Sequence, residues 1–153
     1  MSNHLVEPRP AATLILVRDG ASGLEVLLAE RTHLANFAGG AYVFPGGAVD
    51  PADSAPELAE FASGIDDTEA SKRLGIDQGG IGYWIAAIRE CFEEAGLLFA
   101  HGSDGDLIGI EADAAQTYGE LRKLLAAGQT TLLELLRIND LRLATDRLHY
   151  FGH

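Results

Sequence analysis

The chain has 153 residues, 47% hydrophobic and 22% charged, with a formal net charge of −12. That is enough for one domain with a real core, and with only 11 Lys and Arg in no cluster its surface repels nucleic acid. No apolar run is long enough to span a membrane, the first residues lack a secretory-signal pattern, and the lone Cys91 rules out an internal disulfide, so the expected setting is the cytoplasm.

Residues 1–10 hold two prolines and little apolar content, and read as a loose arm before a single domain over 11–153. The run 12–18, ATLILVR, is β-branched and apolar and reads as a buried strand. DGASG over 19–23 is a turn, and 24–31 is a second strand, closing a hairpin. A loop with paired glycines follows over 32–41, then a short strand over 42–47 that ends in a Pro-Gly-Gly turn. Residues 48–80 change texture, being rich in Asp, Ala, Ser, Gly and Pro. Two short helices fit there, near 56–63 and 66–74, and the stretch reads as an insertion at about 54–81 lying on the surface. A helix then spans 81–95, with Gly96 as its stop. Residues 97–100 read as a strand, 113–127 and 130–138 as helices, and 146–153 as the start of a further strand.

The helix over 81–95 carries the chemistry. At 100° per residue, Glu94 lies at about 40° and Glu93 at about −60° from Glu90, so three carboxylates share a third of the circumference. Trp84, Ile85, Ile88, Cys91, Phe92 and Ala95 form the opposite, core-facing stripe, which places the thiol of Cys91 in the core. An exposed like-charged pair at this spacing costs only about 0.2–0.5 kcal/mol. A solvated face and a metal site therefore both account for the acids. Turned into a cleft, two such charges about 4 Å apart repel by about 4 kcal/mol at an effective dielectric of 20. A hard cation such as Mg²⁺ or Mn²⁺, which takes oxygen ligands, would relieve that repulsion. In Phe44-Pro45-Gly46-Gly47 the backbone can approach a ligand closely, offering a carbonyl to a metal or amides to phosphate.

Together the two pieces resemble the signature of the Nudix hydrolases: Gly, five residues, Glu, seven residues, then Arg-Glu-aliphatic-x-Glu-Glu-x-Gly-aliphatic. RECFEEAGL over 89–97 matches the second half at every fixed position, with Cys91 standing for the aliphatic residue. The first half departs. Gly47 leads after five residues to Asp53 rather than Glu, and Arg89 arrives 28 positions later than position 61, where an uninterrupted box would put it. Such an interrupted box is similar to the coenzyme A diphosphatase branch of the family. Leu27, Leu28, Arg31, Gly40 and Phe44 to Gly47 fall at that branch's spacing, while its second arginine position holds Asn36.

The resemblance implies an α/β fold, a mixed sheet sandwiched between helices, incomplete at the C-terminus. It implies Mg²⁺- or Mn²⁺-dependent hydrolysis of a nucleoside-linked diphosphate. Glu90 and Glu94 would be metal ligands, Glu93 a ligand or the base that activates water, and Gly46 or Gly47 a carbonyl ligand. Arg89 would hold a carboxylate in place, although from the residues alone it reads equally as a surface ion pair. Asp53 stands where the box glutamate is missing. Arg31 is the candidate contact for a substrate phosphate, with Phe44 beside it, although an edge-strand charge explains Arg31 as simply. Coenzyme A or an acyl derivative is the expected substrate, giving 4′-phosphopantetheine and 3′,5′-ADP. ADP-ribose or NADH, or a non-catalytic nucleotide-binding module, are the alternatives. His4, His33, His101, His149 and His153 show no zinc spacing. A strand over 146–153 without a partner would leave an open edge and invite a homodimer, with or without exchanged elements.

Overall fold

A computed structural model of the chain describes residues 8–30, 40–108 and 112–153. Arg31, His33 and Asn36, almost all of the expected 32–41 loop and most of the N-terminal arm lie outside the described residues. The elements run β1 (Ala11–Thr13), β2 (Val17–Gly20), β3 (Gly23–Val26), β4 (Ala29–Glu30), β5 (Tyr42–Val43), β6 (Gly46–Ala48), a 3₁₀ turn (Pro51–Ser54), α1 (Pro56–Ala59), α2 (Asp67–Leu74), α3 (Ile81–Ala95), β7 (Ala100–His101), α4 (Ala112–Ala126), α5 (Leu132–Ile138), β8 (Arg142–Leu143) and a second 3₁₀ turn (Thr145–Arg147).

The fold class is α/β, as expected. Among the described residues the sheet is divided into four two-stranded antiparallel ladders, β1–β6, β2–β3, β4–β5 and β7–β8, and the one parallel bridge joins Ala62 to Leu143. The expected strand over 12–18 is therefore two strands. The Leu14 amide donates to the Pro45 carbonyl and the Leu16 carbonyl accepts from the Leu27 amide, so the chain stays extended but changes partner between those residues. Burial alternates with the pleat here. Ala12, Leu14, Leu16, Val43, Pro45 and Gly47 are half-buried or buried, whereas Thr13, Ile15, Val17, Tyr42 and Phe44 are exposed.

The core is built around α3. Ile81, Trp84, Ile85, Ile88 and Phe92 are buried against Leu98, Ala100, Leu132, Leu135, Leu136, Leu141 and Leu143. The stretch read as a surface insertion belongs to this core, because Leu58 and Ala70 are buried and Phe61, Ala62, Ile65 and Leu74 pack on it. Its small and acidic composition hid a second task. Asp67 accepts from the amides of Gly79 and Ile81, and the Ser71 hydroxyl accepts from the Gly80 amide, so α2 satisfies the free donors at the start of α3. A β carbon at Gly80 would lie 2.2 Å from the Ser71 nitrogen, which is why the approach needs glycine.

The end of the chain also differs from expectation. Residues 146–153 do not form a strand. Leu143 pairs with Ala100 in β8–β7, and the Thr145 hydroxyl then donates to the Ser63 carbonyl and accepts from its amide, turning the chain. Beyond that turn, Tyr150 packs its ring 6.4 Å from that of Trp84. The order of burial, not the alternation of residue types, decides this segment: Thr145 is 1% exposed and Phe151 93% exposed.

Candidate active site

The site grows from the last two turns of α3. Gly96 closes the helix in a left-handed conformation, φ 74°, with its amide donating to the Phe92 carbonyl. The carbonyls of Glu93 and Glu94 at this end would otherwise lack partners. Arg122 of α4 takes both, its Nε 2.7 Å from the Glu93 oxygen and its Nη2 2.8 Å from that of Glu94. A guanidinium here also meets the negative end of the helix dipole. No sequence signal singled out Arg122. It lies among ordinary surface charges of an amphipathic helix, and only the packing of α4 on α3 reveals it.

Arg89 is the hub. It is 8% exposed. Its Nε and Nη2 donate to the two carboxylate oxygens of Asp53, each at 2.9 Å, and Nη2 also reaches the Ala48 carbonyl at 2.9 Å. Nη1 donates to Glu90 at 2.9 Å and to Glu93 at 3.4 Å. The surface ion-pair reading is thereby excluded. Burial alone would lower the pKa of this guanidinium, but the hydrogen bonds and charges of Asp53 and Glu90 outweigh it and hold the proton more tightly than usual. Asp53, 1% exposed, also accepts from the Asp50 amide at 2.8 Å. Its carboxylate is thus spent on Arg89 and the turn. It anchors the arginine.

Two of the acids of α3, Glu90 and Glu94, meet the Pro-Gly-Gly turn. The Gly46 amide donates to Glu94 at 3.0 Å. A β carbon at Gly47 would lie 2.5 Å from the carboxyl group of Glu90, so only glycine leaves room for it. The turn lies against the helix through the Gly46 amide and the open space at Gly47. Glu90 is the most enclosed of the three, its side chain 14% exposed against 31% for Glu93. Its carboxyl pKa is raised, first by burial, with the charges of Glu93 and Glu94 adding and Arg89 opposing. Among the described residues no three His, Cys, Asp or Glu side chains converge as a ready-made metal cage. The donor set itself is oxygen-only and mutually repelling, which is the chemistry that suits a hard divalent ion.

Cys91 is fully buried, and burial, with the Glu94 charge adding, pushes its thiol up to about 12. A disulfide-exchange reagent is expected to modify the native chain at least about 100-fold more slowly than a free thiol, and at the ordinary rate in denaturant, since the thiolate is the reactive form. Absorbance of the released thiolate measures this. His101, one of the histidines without zinc spacing, ties β7 to the second 3₁₀ turn through Nε2, 2.6 Å from Asp146. A depression of about 480 Å³ is lined by His101, Arg142, Asp146 and neighbours, and includes none of the α3 acids.

The structure thus brings Glu90, Glu93, Glu94, Arg89, Gly46 and Gly47 together, ties Asp53 to Arg89, and leaves Phe44 exposed on the same turn. The chain matches no protein-family model. Among solved structures it is similar to a NUDIX hydrolase from Alicyclobacillus acidocaldarius, with a TM-score of 0.59 and 27% sequence identity over 92% of this chain. It spans 59% of the length of that protein. In architecture, the chain has the fold of a Nudix hydrolase.

Proposed function

We propose that the chain hydrolyses the diphosphate bond of a nucleoside-linked compound with Mg²⁺ or Mn²⁺, coenzyme A or an acyl-coenzyme A being the favoured substrate. The observation that carries this reading is that Glu90 and Glu94 meet the Gly46–Gly47 turn, with Arg89 holding Glu90 and Glu93 beside it. When bound, a divalent ion would neutralise diphosphate oxygens and lower the pKa of a water molecule. Glu90 and Glu94 are its side-chain ligands in this reading. Glu93, the more open of the pair that Arg89 touches, accepts the proton from the attacking water. Arg89 keeps Glu90 turned toward the glycines, and the missing β carbon of Gly47 gives that carboxylate its place. Supporting the substrate class are Leu27, Leu28, Gly40 and the Phe44–Gly47 run, at the spacing of the coenzyme A branch. Arg31 remains the candidate phosphate contact.

The test is mass spectrometry of products after incubation with Mg²⁺ and a mixture of coenzyme A, acetyl-coenzyme A, ADP-ribose and NADH. The expected result is 3′,5′-ADP, absent with Glu94→Gln. AMP from ADP-ribose or NADH would keep the chemistry and discard the substrate. No product from any of the four would overturn the hydrolase reading.

A further inference from the structure

Arg122 lies outside α3, yet it bonds to the backbone of two of its acids. α4 is fixed to the core by Tyr118, Leu121 and Leu125, which pack on it. From its half-buried place beside Leu121, Arg122 reaches across to the end of α3. One edge of its guanidinium spans two successive carbonyls, Nε bonding to Glu93 at 2.7 Å and Nη2 to Glu94 at 2.8 Å. Its Nη1 lies over Gly96, 3.5 Å from where a β carbon would stand, so the guanidinium covers the αL turn that ends the helix. The last carbonyls of a helix have no partner within it, and the final turn is held only as well as they are. Here the residues whose carbonyls are held are those that carry the carboxylates. The side-chain contacts of the same residues are lighter: Glu93 accepts from Arg89 at 3.4 Å, and Glu94 from the Gly46 amide at 3.0 Å. The direction in which each carboxylate leaves the helix therefore depends on its backbone.

We infer, on the reading of the site proposed above, that Arg122 is a positioning residue: it fixes the last turn of α3 from α4, so that Glu93 and Glu94 point where cation binding and proton transfer need them. Its shape matters here as much as its charge. The planar fork offers two donors in a fixed relation, which sets the orientation of two successive peptide units, and the single ammonium of lysine cannot do this. An arginine that only complemented the helix dipole would act through its charge, and lysine would serve as well. An exposed surface charge would need neither property.

Arg122→Lys and Arg122→Ala separate these cases, with Lys123→Ala as the control, since Lys123 is exposed and bonded to Glu120. Two quantities are measured where circular dichroism shows every chain folded. One is Mn²⁺ affinity, from the electron paramagnetic resonance signal of the free ion. The other is kcat and KM on whichever of the four compounds the parent cleaves. Arg122→Lys is expected to melt close to the parent, yet to bind Mn²⁺ about 10-fold more weakly and to lose about 10-fold in kcat, the lower end for groups that orient metal ligands. KM should hardly move. Arg122→Ala is expected to lose about 10–100-fold. Guanidinium ion, added far below denaturing concentrations, should restore part of that loss where sodium chloride of equal ionic strength does not. Lys123→Ala should match the parent. Full Mn²⁺ affinity and turnover in either Arg122 variant would overturn the proposal and leave Arg122 a helix cap. A parent that binds Mn²⁺ but cleaves none of the four compounds would discard the hydrolase reading alone, and the Mn²⁺ affinities would still decide the role of Arg122. A parent that binds no Mn²⁺ would overturn both.

Discussion

Asp53→Ala is expected to lower the stability of the fold by about 3–5 kcal/mol, the usual cost of stranding one partner of a buried ion pair. Asp53 is 1% exposed and gives both oxygens to Arg89, itself 8% exposed. Removing the carboxylate leaves a buried guanidinium with the Ala48 carbonyl, Glu90, and longer contacts to Glu93 and to Asp50 at 3.7 Å. It also frees the Asp50 amide that Asp53 accepts from. Against a total of about 5–15 kcal/mol for a domain this is a large fraction. Urea denaturation measures it. A loss under about 1 kcal/mol, the range of exposed pairs, would mean that the pair is effectively solvated. A double variant, Asp53→Leu with Arg89→Met, separates structure from positioning. Apolar replacement of both partners is expected to recover most of the stability, yet Glu90 would lose the group that turns it toward Gly47. Stability regained with activity still lost would assign the pair to positioning the acid.

Much of this site could be read from the chain, and the reason is local geometry. On a helix, the spacing of Glu90, Glu93 and Glu94 fixes their common side, and the apolar stripe fixes which side is buried. Gly96 and its αL cap follow from the same rule. What could not be read was set by contacts across distance. Residues 54–81 looked like a surface excursion because Asp67 and Ser71 are polar, and nothing local says that they cap α3. Arg89 and Asp53, 36 residues apart, find each other only because the first 3₁₀ turn packs on α3. The tail misled for the opposite reason. RLHYF alternates like a strand, but alternation needs a ladder partner, and Thr145 has already bonded to Ser63 and turned the chain away.

Glu90→Gln is expected to stabilise the protein while removing most of its turnover. Burial and the charges of Glu93 and Glu94 raise the carboxyl pKa of Glu90 above its usual 4.5, against the pull of Arg89. The folded state therefore binds this proton more tightly than the unfolded chain does. Ionised Glu90 carries a stability cost that is absent at pH values below the unfolded pKa and develops as pH rises through the folded one. Neutral glutamine escapes that cost and still offers Arg89 an oxygen. In a chelator at pH 8, the variant should melt above the parent. The gap should close as pH falls toward 4, where the parent takes up its proton. A variant that melts lower at pH 8 would mean that the Arg89 hydrogen bond outweighs burial and repulsion. With Mg²⁺ present, turnover should fall by about 10²–10⁴-fold, the equivalent of several kcal/mol of transition-state charge stabilisation. In the proposed function a bound cation would offset the cost of this carboxylate, a cost that a solvated surface acid would not carry.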